Sequence, residues 1–264
     1  AKVTVTCSPA RGIEHTLWHA EQLARQGLRA VPHISARLVV DTAHLRDILR
    51  RLAALDLREI FVVGGDAKQP VGSFSSALDL LRAMTDLGHN LDQVGVSAYP
   101  ERHPFIDDAT LRRALADKQQ FATYMVTQIC FDPDVITQWL AGTRQQGITM
   151  PVYIGLPGVV DRAHLLRISM KIGVGTSARF LSKHAGLAAK LLMPGSYRPT
   201  ELVERLAPYF GDTRYNIQGL HINTFNQVES SEKWRQEMMA SALDEPAWCR
   251  DRSARDADDV RDRR

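Results

Sequence analysis

Apolar and polar positions repeat along the chain on two length scales. Short β-branched or apolar runs fall at Val3 to Thr6, Ala30 to Ile34, Ile60 to Val63, Val94 to Tyr99, Tyr124 to Ile129, Val152 to Ile154 and Gly219 to Ile222. Between them, apolar residues recur at every third and fourth position, the spacing of an amphipathic helix. Glu14 to Arg25 sets Leu17, Ala20 and Leu23 on one face. Thr42 to Leu55 does the same with Leu45, Ile48, Leu49 and Leu52, and Asp41 or Thr42 is placed to cap it. Helices are also predicted over Ser73 to Leu87, Asp107 to Lys118, Asp134 to Gln146, Asp161 to Ile172 and Thr200 to Phe210. Strands alternating with helices predict a parallel sheet with helical crossovers. Seven strand-like runs suit an open doubly wound sheet. A (β/α)8 barrel needs an eighth. Counting alone leaves both architectures open.

The tail reads differently. The last stretch, "RDRSARDADDVRDRR", is dense in charge and nearly free of apolar residues. It buries too little surface to offset the entropy of ordering. The expected organisation is one large domain over 1–244 and a charged, disordered tail over 245–264. At 264 residues, 44% hydrophobic and 24% charged, the chain is of ordinary globular composition. A formal net charge of +3 is too small to argue for a nucleic-acid partner. The apolar runs are strand-sized, so no membrane span is expected. Cys7, Cys130 and Cys249 are too few for a disulfide scaffold and form no Cys-x-x-Cys pair. No metal site is expected, and a reducing cytoplasm fits. The chain begins at Ala1, without a signal-peptide pattern, and enters a strand pattern almost at once. We therefore expect a preceding segment in the native protein.

Chemistry concentrates where the strand runs end. "RAVPHIS" closes on Pro32 and His33, "EIFVVGGDAKQP" on Gly64, Gly65 and Asp66, and "GVSAYPERHP" on Tyr99, Glu101 and His103. "YMVTQICFD" closes on Thr127, Gln128 and Asp132, and "GLHINTFNQ" on Asn223, Thr224 and Asn226. Parallel α/β folds gather these ends on one face, where ligands bind. Taken singly, each residue has a plainer role. Asp66 after two glycines suits a turn or a helix cap, His33 a hydrogen-bonded core histidine, and Lys118 a solvated helix surface. Together they suggest a site. A carboxylate on a glycine turn lets a flat ligand approach the backbone, and a buried glutamine offers donor and acceptor to a heteroaromatic ring. Other motifs fail. "GVGTSA", Gly173 to Ala178, follows a helical stretch and lacks the strand that a dinucleotide fingerprint requires. Ser75 and Ser76 have no nucleophile-elbow setting. His15 and His19, four apart, read as helix-surface residues.

"VTVTCSPARG", "AVPHIS", "GGDAKQP", "SAYPERHP", "VTQICFD" and "GLHINTFNQV" occur in that order. Together they resemble the methylenetetrahydrofolate reductase family, over about Val3 to Trp234. The resemblance implies a (β/α)8 TIM barrel, entered here at the family's second strand. It implies FAD on the barrel's C-terminal face, reduction by NADH or NADPH, and transfer of hydride to 5,10-methylenetetrahydrofolate to give 5-methyltetrahydrofolate. By the same resemblance Asp66 is catalytic and Gln128, Asp66 and Thr224 bind folate. Thr6, His33, Gly65, Asp66, Ala98, Tyr99 and Lys118 line the cofactor. The implied setting is one-carbon metabolism and methionine biosynthesis in the cytoplasm, with homo-oligomerisation left open. Two departures stand out. The family's general-acid motif, like "FEFFPP", does not occur in this chain. Gly64-Gly65-Asp66 stands where the family usually has Arg-Gly-Asp. These keep two other readings in view: flavin-free hydride transfer directly from NADH, and a non-catalytic folate-binding relative.

Overall fold

The computed structural model describes residues 2–101, 103, 105–171 and 195–243. The "GVGTSA" segment and the charged tail lie outside them. The described residues form nine strands: β1 (Lys2–Val5), β2 (Arg29–Ser35), β3 (Glu59–Val63), β4 (Gln93–Ala98), β5 (Tyr124–Thr127), β6 (Val152–Pro157), β7 (Val160–Asp161), β8 (Ser196–Tyr197) and β9 (Ile217–Asn223). They also form eight α-helices: α1 (Gly12–Arg25), α2 (Thr42–Ala54), α3 (Ala77–Leu87), α4 (Asp108–Lys118), α5 (Pro133–Gln145), α6 (Arg162–Lys171), α7 (Thr200–Leu206) and α8 (Val228–Leu243).

All seven predicted strands are present, in one sheet of order β1-β2-β3-β4-β5-β6-β9, and each neighbouring pair from β1 to β6 is parallel. The predicted strand–helix alternation therefore holds, and the chain is an α/β protein. The pattern missed three elements. β7 and β8 pair as a two-stranded antiparallel ribbon, each only two residues long, too short to leave a periodic signal. In α8 the apolar residues do not recur at helical spacing, and among its described side chains Trp234 is the buried apolar one.

The predicted helix from Ser73 begins instead at Ala77. There the Ser76 hydroxyl accepts from the Asp79 amide, and the Asp79 carboxylate accepts from the Ser76 amide, a reciprocal capping box. Residues Ser73 to Ser75 are left in the loop. For α2 the cap is Asp41, which accepts from the His44 amide at 2.8 Å.

Two compact units divide the chain. The first is Ala1–Tyr99, Phe105–Gln128 and Gly142–Tyr153. It holds α1 to α4, β1 to β5 and the start of β6. Side chains alternate across a strand, so each buried strand serves two cores. One face of each strand meets the helices, whose Leu17, Leu45, Ile48, Leu52, Leu80, Leu81, Met84 and Leu115 are all buried. The other face carries a cluster of Val31, Phe61, Tyr124 and Val126, with Val63 and Tyr153 against it. Gly95 belongs to this second face, because a Cβ there would meet the rings of Tyr124 and Phe61. The second unit is Pro100–Pro104, Ile129–Ala141 and Ile154–Arg264. Its core packs Ile129, Phe131, Val160 and Leu165 with Leu166, Tyr197 and Phe225.

Candidate active site

Strand register decides which of the predicted residues share a face. Thr4 is level with Val31, His33 with Phe61, Phe61 with Gly95, and Gly95 with Tyr124. Carried two residues onward by alternation, the same face receives Thr6 after β1, His33 on β2, Tyr99 after β4 and Gln128 after β5. The Gln128 amide donates to the Ala98 carbonyl at 2.7 Å, continuing the β4–β5 ladder. Four of the residues assigned by resemblance thus stand on one face of the first unit. His33 packs its ring 4.8 Å from that of Phe61.

Gly65 and Asp66 follow β3 on a tight turn. Gly65 has φ +96, and a Cβ there would fall 1.9 Å from Ser35 Oγ. The backbone angle favours glycine, and a Cβ there would have to displace the Ser35 hydroxyl. Asp66 is exposed at the tip of this turn. Its charge reaches Tyr99, whose phenol is pushed above its usual range first by burial and then by Asp66, while a hydrogen bond with the Ser97 side chain pulls the other way. Asp66 follows β3 and Tyr99 follows β4, the strand beside it.

Ala98 and Lys118 are placed differently. Ala98 is one step out of phase with Tyr99 and lies buried on the opposite face. Lys118, at the end of α4, is not a solvated surface lysine: it is 8% exposed, and its ammonium donates to the Ser97 carbonyl at 3.2 Å. Burial lowers its pKa from 10.5 to about 8. Thr224 belongs to the second unit, in the turn after β9, where its carbonyl accepts from the Gln227 amide at 2.8 Å.

Pattern reading missed Arg37, Ser35 and Ser97. Ser97 was within reach of it, since it shares the two-residue phase of Tyr99. Ser35 and Arg37 act on a loop about thirty residues away in sequence, a contact that leaves no periodic trace. His15 and His19, four apart on α1, meet with their Nε2 atoms 3.2 Å apart. Among the described residues no group of three or more His, Cys, Asp or Glu is arranged to hold a metal ion, and no helix is long and apolar enough to cross a membrane.

The fit to a flavin dinucleotide can be tested on these contacts. Its pyrophosphate requires cations or donors turned toward it. Lys118, which the resemblance sets among the cofactor residues, is instead buried at the end of α4 and donates to the Ser97 carbonyl. Arg37 turns Nε and Nη1 toward the Ser75 and Ala67 carbonyls. As placed, Lys118 does not fit the dinucleotide's phosphates.

Fold and site together define an α/β protein that gathers a carboxylate, a phenol, an imidazole and an amide at the carboxyl ends of parallel strands, the ligand-binding position of such folds. The family model described as "Methylenetetrahydrofolate reductase" matches residues 2–237. The chain belongs to that family. Among curated proteins it is similar to a "Probable methylenetetrahydrofolate reductase (NADPH)" of Caenorhabditis elegans, 26% identical over 129 residues, which cover 46% of this chain and 19% of that protein. It is also similar to "Methylenetetrahydrofolate reductase 2" of Saccharomyces cerevisiae, 26% identical over 100 residues, 36% of this chain and 17% of that protein. The chain thus spans less than a fifth of the length of these relatives.

Proposed function

We propose that this chain is an oxidoreductase of one-carbon metabolism that reduces 5,10-methylenetetrahydrofolate to 5-methyltetrahydrofolate at the expense of NADH or NADPH, on a (β/α)8-type scaffold. The observation that carries this reading is the exposed carboxylate of Asp66, held on a glycine turn beside Tyr99. Opening of the substrate's five-membered ring leaves a 5-iminium cation and requires one proton at N10. The cation then accepts a hydride, so both electrons of the new C–H bond come from the nicotinamide, which leaves oxidised. A fixed carboxylate is worth most where such charge develops. Gln128, two strands from Asp66, offers an amide to the donor and acceptor edge of the pterin. Thr6, His33 and Tyr99 line the face on which the flat rings lie.

Asp66→Asn tests this. The exposed side chain contributes little to folding, so urea unfolding stays unchanged, while turnover of methylenetetrahydrofolate falls roughly 100-fold or more. Equal rates in the variant and the parent would remove Asp66 from the chemistry.

A second reading concerns the route of the hydride. Direct transfer from the nicotinamide, without flavin, is favoured by Lys118, which is buried and donates to a main-chain carbonyl and so does not face a phosphate. The visible absorption spectrum of the purified protein and its initial-rate pattern separate the routes. A protein without a flavin band, giving intersecting double-reciprocal plots, runs the direct route. A flavin band bleached by NADH, with parallel plots, runs the relayed one.

A further inference from the structure

Asp66 sits in a loop that its own sequence does little to hold. Gly64 to Ser75, "GGDAKQPVGSFS", contains three glycines and a proline and bridges β3 to the cap of α3. A carboxylate in such a loop acts on a reacting centre only if something fixes its position. The single turn of 3-10 helix after β2, Ala36–Leu38, supplies that, and Arg37 is its centre.

Four hydrogen bonds join Arg37 to the loop. Its main-chain amide donates to the Gly64 carbonyl at 3.1 Å, and its main-chain carbonyl accepts from the Val71 amide at 3.0 Å. Its side chain then forks. Nη1 donates to the Ala67 carbonyl at 2.9 Å and Nε to the Ser75 carbonyl at 3.0 Å. Ala67 is the residue after Asp66, and Ser75 precedes the cap of α3. One planar guanidinium therefore ties the first part of the loop to its far end. Lysine, a point charge on a flexible stem, cannot bridge two carbonyls in fixed geometry in the same way. The backbone around this fork is closely fitted. The Ser73 amide donates to the Val40 carbonyl at 3.1 Å, and Gly72 lies so near that carbonyl that a Cβ would overlap it.

We propose that Arg37 is the positioning residue of this site: its guanidinium sets the Asp66 carboxylate by holding the carbonyls of Ala67 and Ser75. This rests on the reading of Asp66 given above. Arg37 touches no substrate and acts through the loop. The main-chain pins at Gly64, Val71 and Ser73 survive a change of the side chain. Arg37→Met therefore folds, but lets Asp66 sample positions an ångström or so away, a displacement able to cost up to about 100-fold in rate.

The test uses the full chain and compares the parent with Arg37→Met, Arg37→Lys and Asp66→Asn. For Arg37→Met we expect kcat to fall by about 10-fold or more with KM nearly unchanged, and guanidinium salt below denaturing concentrations to restore part of the loss. Arg37→Lys, keeping one of the two carbonyl contacts, falls between. A stabilising role alone would lower the unfolding midpoint, leave kcat as it was and show no rescue. Backbone 15N order parameters give an independent readout: in Arg37→Met those of Asp66 and Ala67 drop while those of β3 and β4 hold. Slow Asp66→Asn with parent-like Arg37→Met overturns the assignment of Arg37 and leaves that of Asp66 standing. Parent-like Asp66→Asn overturns the reading of Asp66. The order parameters then decide Arg37, and unchanged values at Asp66 and Ala67 overturn it.

Discussion

The ammonium of Lys118 donates to the main-chain carbonyl of Ser97 at 3.2 Å, from a side chain that is 8% exposed. A buried amine bound to one neutral acceptor is poorly compensated as a cation, and burial lowers its pKa from 10.5 to about 8. The native state therefore releases this proton earlier than the unfolded chain does. Below about pH 8 both states hold it, and the folded protein carries the full cost of the buried charge. Between about pH 8 and 10.5 only the unfolded chain holds it, so stability rises with pH across that window. The gap corresponds to roughly 3 kcal/mol. We expect Lys118→Met to raise the urea midpoint at pH 7 and to flatten the rise above pH 8. A lower midpoint at pH 7 would mean that the Ser97 contact outweighs the desolvation cost.

Gly65 makes a second prediction. Its φ of +96 strains any L side chain, and Ser35 Oγ occupies the space of the missing Cβ. Gly65→Ala should destabilise the protein by about 2–3 kcal/mol. Adding Ser35→Ala relieves the clash but not the backbone, so the double variant recovers only part of the loss. Full recovery in urea unfolding would show that the steric contact was the whole effect.

At the amino ends of the strands lies an ionic cluster. Lys2 Nζ sits 2.7 Å from Glu59 Oε2 and 2.7 Å from Gln93 Oε1. It also lies 5.7 Å from the Tyr124 ring centroid and 6.0 Å from that of Tyr153. Glu59 adds to burial in raising the Tyr124 phenol well above its ordinary range. The pair is partly buried, with side-chain exposures of 27% and 13%. Removing one partner leaves the other charge facing aromatic rings. Lys2→Met should therefore cost about 1–3 kcal/mol, and Glu59→Gln added to it less than the sum of the two singles. Additive losses in the double-mutant cycle would show that the two do not interact.

Cys130 offers a chemical test. Its thiol is fully buried and donates to Glu101 Oε1 at 3.0 Å. Burial first, and the Glu101 carboxylate next, push its pKa well above 9.0. The thiolate is the reactive form. In the native protein at pH 7 to 8, Cys130 should resist iodoacetamide over hours and react only after unfolding, as read by mass spectrometry of the labelled peptides. Rapid labelling of the native chain would contradict both its burial and its raised pKa.

The sequence by itself determined the element order. Strands buried on both sides require continuous apolar runs, and the glycines, prolines and capping residues that end them are local signals, so all seven sheet strands and the first seven helices were legible. It also placed Asp66, Tyr99 and Gln128 at strand ends, because those ends are where apolar runs stop. The two-residue period further separated Tyr99 from Ala98 once the β4 register was known. Elements with little burial of their own escaped: α8, and the two-residue strands β7 and β8. What only the tertiary structure decided are contacts between residues distant in sequence. Lys118 reads as solvated until α4 packs on β4 and closes it against Ser97, 21 residues away. Arg37 carries no local signal, and it is the pairing of β2 and β3 in register that brings its fork onto a loop some thirty residues on. A side chain's chemistry depends on its dielectric surroundings and its partners. Both are set by which strands pair and which helices cover them, and no local pattern encodes that.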